Sequence, residues 1–220
     1  MNRSWPTGPR RPPAPATEVH VWRADLGRPD WPPPTELPAE ERERAERMLR
    51  PGSGRRWSAS RWALRLVLSR YLGEKPEAIA LRRSEHGKPE LAEGPERLSF
   101  NLSHSGALAL VAVTRGRELG VDIERIDADR DLLALAERAL DASAAAAVRE
   151  AAPADRPTAF YEAWVRHEAL VKCFGGGLGS PLPEEPATVA PLDVDRGFAA
   201  ALAVAGREVL AHRCFSIGSP

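Results

Sequence analysis

The sequence predicts an α/β (α+β) protein, one globular unit in two halves of similar make-up. Three observations predict it. Short stretches at 18–22, 98–102, 107–114, 198–204 and 209–215 either alternate apolar with polar residues or run apolar throughout, as strands do. Two longer stretches, 57–72 and 158–174, carry their polar and apolar residues at helical spacing. Glycine and proline clusters punctuate the chain between these stretches. A length of 220 residues, 43% of them hydrophobic and 28% charged, suits one globular unit or two small subdomains sharing a core.

Residues 1–17 are mostly proline, arginine and small residues, too few of them apolar to fold, and are expected to be a disordered tail. Residues 18–22 form the first strand, followed by a proline-rich loop to Pro38 and a charged helix over 39–49 that Pro51-Gly52 stops. In the helix over 57–72, Ser58, Arg61, Arg65 and Ser69 make one stripe. Trp62, Ala63, Leu66, Val67 and Tyr71 fill the remaining arc, so most of that helix is expected to be buried. A loop holding His86-Gly87-Lys88-Pro89 leads to strands at 98–102 and 107–114. Arg115-Gly116-Arg117-Glu118 then turns the chain into a hairpin with the next strand. The alanine- and leucine-rich region 131–151 is expected to be helical. Pro153 and Pro157 break it before the helix over 158–174, which Gly175-Gly176-Gly177 ends. The last two strands, 198–204 and 209–215, are expected to close the molecule as an antiparallel hairpin.

Composition excludes several classes. The formal net charge is zero, which argues against a protein that coats nucleic acid. Two cysteines, Cys173 and Cys214, are too few for a disulfide framework and fit a reducing cytoplasm. No apolar run reaches the roughly 18 residues of a membrane span, and the N-terminus lacks the apolar core of a signal peptide, so a cytoplasmic protein is expected.

Four stretches carry candidate chemistry. In Gly120-Val121-Asp122-Ile123-Glu124, strand alternation puts both carboxylates on one face and Val121 and Ile123 in the core. Two carboxylates that close repel, and a hard divalent ion such as Mg²⁺ would relieve them; a solvated strand end has the same spacing. In Trp164-Val165-Arg166-His167-Glu168-Ala169-Leu170-Val171-Lys172, Glu168 and Lys172 share a helix face, as a functional pair or as an exposed ion pair. In Phe100-Asn101-Leu102-Ser103-His104-Ser105-Gly106, serine beside histidine invites a hydrolase reading. Adjacent strand residues point to opposite faces, however, and no G-x-S-x-G elbow is present, so phosphate ligation by small hydroxyls and the His104 imidazole suits the stretch better. Lys88 is presented from a confined Gly-Lys-Pro turn, and Arg55 and Arg56 stand before the buried helix. Together these cations could meet a polyanionic ligand.

In this order, H-G-K-P, F-N-L-S-H-S-G, G-V-D-I-E and W-x-x-x-E-A-x-x-K resemble the 4′-phosphopantetheinyl transferases of the surfactin-synthetase-activating (Sfp) type, over nearly the whole chain beyond the tail. The resemblance implies a monomeric pseudo-dimer of two similar subdomains, each a small antiparallel sheet with a long helix: 18–116 on the coenzyme A nucleotide side, 117–220 carrying the metal and catalytic residues. It implies Mg²⁺-dependent transfer of 4′-phosphopantetheine from coenzyme A to a serine of an apo acyl or peptidyl carrier protein, in fatty-acid, polyketide or nonribosomal-peptide synthesis. Adenosine 3′,5′-bisphosphate would be released. By position, Asp122, Glu124 and Glu168 look like the metal-binding acids, with Glu168 also the base for the carrier serine. Lys172 looks like the lysine on the pyrophosphate. Lys88, Ser103 and His104 match residues holding the nucleotide, and Arg56 is similar to an arginine for its 3′-phosphate.

This chain departs from the family pattern at His167, where the family usually carries lysine, and at Gly175-Gly176-Gly177, which lacks a basic residue. His167 falls on the apolar stripe of its helix, which suits a half-buried structural role. Arg42, Arg44 and Arg47 are interchangeable candidates for the upstream basic position. Two other readings are a catalytically impaired coenzyme A-binding protein on the same fold and a helix-turn-helix regulator using the arginine-rich helix. Retention of all three acids and Lys172 speaks against the first, and the apolar arc of that helix against the second.

Overall fold

A computed structural model describes residues 5–13, 15–31, 34–50, 52–84, 87–92, 98–176, 185–208 and 211–217. Strand β1 (Glu18–Asp25) is buried on both faces, because Val19 and Val21 point one way while His20, Trp22 and Ala24 point the other. It lies between β5 (Leu108–Arg115), antiparallel, and β9 (Ala211–Ser216), parallel; β4 (Leu98–Ser105) completes a four-stranded sheet in the order β4-β5-β1-β9. A second sheet has the order β6-β8-β7, from β6 (Leu119–Arg125), β8 (Phe198–Ala205) and β7 (Ala187–Pro191). Strands β2 (Leu81–Arg83) and β3 (Pro89–Leu91) make a small hairpin around the Lys88 turn.

Four layers result. Helix α2 (Ser53–Leu72) covers one face of the first sheet, packing Ala63, Leu64, Val67 and Leu68 on Trp22, Phe100, Val111 and Val113. The opposite face, with Val19, Val21, Leu108, Leu110 and Ala112, packs directly on Leu119, Val121, Ile123, Leu202 and Val204 of the second sheet. Helices α3 (Leu132–Ala139), α4 (Ala142–Glu150) and α5 (Arg156–Cys173) cover the far face of that sheet over Ala199, Ala201 and Ala203. The unbroken apolar run of β5 is thus a strand buried on both sides.

Several expectations change. The predicted 115–118 turn does not make a hairpin, since β5 bonds to β4 and β1 while β6 bonds to β8: the connection carries the chain from one sheet to the other. The predicted closing hairpin is also absent among the described residues. From β8 the chain crosses to the open edge of β1, where β9 pairs in parallel; residues 209–210 of that predicted strand lie outside the described residues. The 131–151 helix is two helices, divided where the Asp141 carboxylate accepts the Ser143 and Ala144 amides and starts α4. The tail expected to be disordered runs along β9 where it is described. Gly8 N–H donates to the Ser216 carbonyl at 3.1 Å, Ser216 N–H to that of Pro6 at 2.8 Å, and Arg115 N–H to that of Pro15 at 2.8 Å. Proline lacks a donor but keeps its carbonyl, so a proline-rich segment can still cover a sheet edge.

The polar stripe of α2 is itself buried. Glu41, on α1 (Ala39–Glu46), accepts from Arg61 Nη2 at 2.6 Å and from Arg65 Nε at 3.0 Å. Arg65 also caps the Ile79 carbonyl at 2.7 Å. Burial opposes the Glu41 charge, but the two guanidinium groups outweigh it and hold the carboxyl below its usual value. Burial lowers Arg61 as well, so the network fixes α1 against α2 more than it adds net stability.

Candidate functional site

The site begins where α5 lies on β6 with almost no space between their backbones. A Cβ on Gly120 would stand 2.1 Å from the Ala169 carbonyl oxygen and 2.4 Å from the Cys173 nitrogen, so glycine is what lets the helix approach. Asp122 and Glu124 follow on the same face of β6, and α5 brings Glu168 and Lys172 to meet them. Lys172 Nζ donates to Asp122 Oδ1 at 2.5 Å and to Ser103 Oγ at 3.1 Å. Ser103 Oγ donates to Asp122 Oδ1, and Ser105 Oγ to Glu124 Oε2, each at 2.7 Å. The buried oxygens Asp122 Oδ2 and Glu168 Oε1 have no hydrogen-bond partner among the described residues.

Crowding of carboxylates shows in their acidities. Burial, then Asp122 and Glu124, push Glu168 above the usual carboxylate value against the pull of Lys172. Glu124 is likewise raised, chiefly by burial. Among the described residues no three His, Cys, Asp or Glu side chains converge into a ready metal cage. The Lys172 ammonium, lying on Asp122, supplies the positive charge in this arrangement. Two orphaned, buried carboxylate oxygens beside a third carboxylate nevertheless form the oxygen donor set that suits a hard divalent cation.

These groups open into a cavity of about 420 Å³ between the halves. The C-terminal half contributes Asp122, Glu124, Trp164, Glu168, Lys172, Gly175 and Gly176; the N-terminal half contributes Arg44, Trp57, Arg61, Arg83, Lys88, Ser103 and His104. Seven of the eight residues to which the resemblance gives a site role therefore line one cavity. Arg56 does not, although its charge and that of Lys172 add to the burial that keeps His104 below its usual value. Lys88 reaches the cavity wall with its ammonium turned toward the other half, donating to the Lys172 carbonyl and Glu118 at 3.3 Å and to the Leu119 carbonyl at 3.4 Å. His86 and Gly177 lie outside the described residues.

Of the three upstream arginines, Arg44 lines the cavity, while Arg42 turns away to the Leu37 carbonyl at 2.8 Å. Arg44 and Arg61 both sit over the Trp57 indole, 5.6 and 5.8 Å from its centroid. Trp57, Arg61 and Arg83 were not expected at the site. Arg61 was legible only as part of a polar stripe, and Arg83 sits on a three-residue strand with no alternation to read. His167 stacks on Trp164 at 6.0 Å, and burial lowers its imidazole, which accords with the structural role expected from its stripe.

Known proteins resemble this chain in sequence. The sequence profile of the 4′-phosphopantetheinyl transferase superfamily matches residues 118–212, and that of the N-terminal region of 4′-phosphopantetheinyl transferases matches residues 33–116. The 4′-phosphopantetheinyl transferase HetI of Nostoc sp. is 34% identical over 209 residues, 86% of this chain and 88% of that protein. The chain belongs to the 4′-phosphopantetheinyl transferase superfamily. The 4′-phosphopantetheinyl transferase AcpT of Salmonella typhimurium is 36% identical over 118 residues, 54% of this chain and 59% of AcpT. The L-aminoadipate-semialdehyde dehydrogenase-phosphopantetheinyl transferase of Xenopus laevis is 27% identical over 168 residues, 72% of this chain and 56% of that protein. The chain thus spans between half and two thirds of those two relatives. The two superfamily profiles meet at the β5–β6 connection, where the chain passes between the sheets. The α+β architecture expected from the sequence is the one observed, although β9 makes the first sheet mixed and not purely antiparallel.

Proposed function

We propose that this transferase moves 4′-phosphopantetheine from coenzyme A to a serine of an apo acyl or peptidyl carrier protein, in the manner of the Sfp type. The observation that carries the reading is the two-sided cavity. Arginines and an indole from one half face three carboxylates and a lysine from the other, which suits a ligand with an anionic nucleotide and a reactive diphosphate. Arg44 and Arg83 would hold the nucleotide phosphate, with Trp57 offering a flat apolar face and His104 a hydrogen-bond donor. Lys88 and Ser103 line the same cavity, Lys88 with its ammonium drawn toward the other half and Ser103 with its hydroxyl on Asp122. Arg56 serves the 3′-phosphate only through its distant charge.

Mg²⁺ held by Asp122, Glu124 and Glu168 would supply positive charge to the diphosphate oxygens. The carrier serine then attacks the phosphorus that bears pantetheine. A Ser–O–P bond forms, the bond to the bridging diphosphate oxygen breaks, and adenosine 3′,5′-bisphosphate leaves with the added negative charge. Glu168 accepts the serine proton, a role its raised pKa favours and one that contributes on the order of 10²–10⁴ in rate. The Lys172 ammonium stabilises the charge growing on the leaving group. The reading extends to a monomeric pseudo-dimer in the cytoplasm, where two free cysteines are at home, and to carriers of fatty-acid, polyketide or nonribosomal-peptide synthesis. Among the described residues no helix is long and apolar enough to cross a membrane.

The test is to incubate the protein with coenzyme A, Mg²⁺ and a panel of apo carrier proteins, then weigh the carriers. A phosphopantetheine mass increase on at least one is expected. No increase on any, with coenzyme A still bound, would favour the catalytically impaired homologue.

A further inference from the structure

Strand β4 is the edge of the first sheet and β6 the edge of the second, and the two edges meet without a backbone ladder between them. The N–H groups of Val121, Ile123 and Arg125 point out of β6 on that side. Each is met by a side chain of β4: Val121 N–H by Asn101 Oδ1 at 3.0 Å, Ile123 N–H by Ser103 Oγ at 3.4 Å, and Arg125 N–H by Ser105 Oγ at 3.0 Å. The donors are two residues apart on β6 and the acceptors two apart on β4. The side chains of one strand therefore stand in for the backbone carbonyls of a missing partner.

The polarity of this ladder matters. A backbone N–H can only donate, so each serine hydroxyl must accept from it with a lone pair, which leaves its single proton free to donate elsewhere. Those protons go to Asp122 Oδ1 and Glu124 Oε2, both at 2.7 Å. On β6 the pattern is regular: residues 121, 123 and 125 supply the N–H, and residues 122 and 124 between them supply the carboxylates. Slipping β4 by one residue would replace Asn101, Ser103 and Ser105 with Phe100, Leu102 and His104, and the first two of these could offer neither acceptor nor donor.

We infer that Asn101, Ser103 and Ser105 are positioning residues that lock the register of the two halves and aim Asp122 and Glu124 into the cavity. This rests on the reading of those acids as cation ligands. It assigns Ser105 a role, and it moves Ser103 from the nucleotide to the carboxylates. Ser105 separates the roles well, because it does not line the cavity and reaches Glu124 from outside it.

The experiment compares the full chain with Ser105→Ala and Ser105→Thr. Mn²⁺ binding is read by electron paramagnetic resonance and exchange of the Arg125 amide by NMR, neither of which needs turnover. Ser105→Ala should weaken Mn²⁺ binding about 10-fold, as removal of a partner behind a metal ligand does, and should speed Arg125 exchange. Ser105→Thr, which keeps the hydroxyl, should restore both. In a Glu124→Gln background Ser105→Ala should weaken Mn²⁺ binding no further, since its effect passes through that carboxylate. Unchanged affinity in Ser105→Ala, or an equal loss in the Glu124→Gln background, overturns the inference. Should the unaltered chain take up no Mn²⁺, the metal reading fails by itself and the metal-free exchange rate decides the ladder: faster in Ser105→Ala supports it, unchanged overturns it.

Discussion

Replacing Gly120 with alanine tests the link between packing and chemistry more sharply than any change to a charged side chain. The added methyl meets backbone, not a side chain that can turn aside: 2.1 Å to the Ala169 oxygen, 2.4 Å to the Cys173 nitrogen and 2.9 Å to the Lys172 carbonyl carbon. To reach ordinary contact at 3.4 Å, α5 must retreat from β6 by roughly 1 Å. Overpacking of this kind costs about 1–3 kcal/mol, so the melting temperature of a chain this size should fall by roughly 4–8 °C for a loss of ~2 kcal/mol. The retreat carries Glu168 and Lys172 away from Asp122, and a 1 Å misplacement of reacting groups can cost about 100-fold in rate. Transfer to a carrier, followed by mass at saturating coenzyme A, should show kcat lowered by about that factor at a temperature where the variant is folded. Gly116→Ala is the control. Its backbone is left-handed, with φ +79° and nothing within 4 Å, so alanine there should cost about 1 kcal/mol and leave kcat unchanged. Normal kcat and normal melting in Gly120→Ala would refute the close packing of α5 on β6.

Other outcomes follow from the same structure. Glu168→Gln should lower transfer by at least about 100-fold while leaving stability equal or higher. Its folded pKa is raised, so the favourable contribution is complete below the unfolded value of 4.5 and is lost as pH rises through the folded value; glutamine removes that loss at neutral pH, as denaturant melts would show. Glu41 has the opposite sign. Held below 4.5, it stabilises above that value and loses its contribution as pH falls through the folded value. Glu41→Gln leaves Arg61 and Arg65 buried without their carboxylate, so it should cost about 3–5 kcal/mol in urea unfolding at pH 7. Arg44→Ala should raise the coenzyme A KM on the order of 10-fold with kcat little changed, and Arg42→Ala should alter neither.

The long elements were legible because their patterns are local. Helix α5, β5 and the alternation around Asp122 follow from spacing within a few turns or residues, and the shared face of Asp122 and Glu124 followed from the strand period alone. What the pattern could not carry was which strand lies beside which. The Gly206 turn after β8 promises a hairpin, and only the open edge of β1, nearly 200 residues away in sequence, explains why β9 leaves β8 for it. The same limit hid the ladder: Asn101, Ser103 and Ser105 are visibly two apart, but nothing local says that an edge of another sheet stands opposite. Arg61 and Arg65 were visible as a polar stripe, but the carboxylate that lets them be buried, Glu41, arrives from a separate helix that local spacing does not place. At the site, the acids and Lys172 were readable from their motifs. Trp57, Arg44 and Arg83 became part of it through the packing of α1, α2 and β2.

A crystal of the protein grown with coenzyme A and Mn²⁺, with anomalous scattering recorded at the manganese edge, tests the central claim most directly. One manganese peak is expected, bounded by Asp122, Glu124 and Glu168, with the diphosphate against it, Lys172 on the diphosphate oxygens and the nucleotide phosphate beside Arg44 and Arg83. A nucleotide bound in this cavity with no manganese at the three carboxylates, or manganese and nucleotide bound elsewhere, would contradict it.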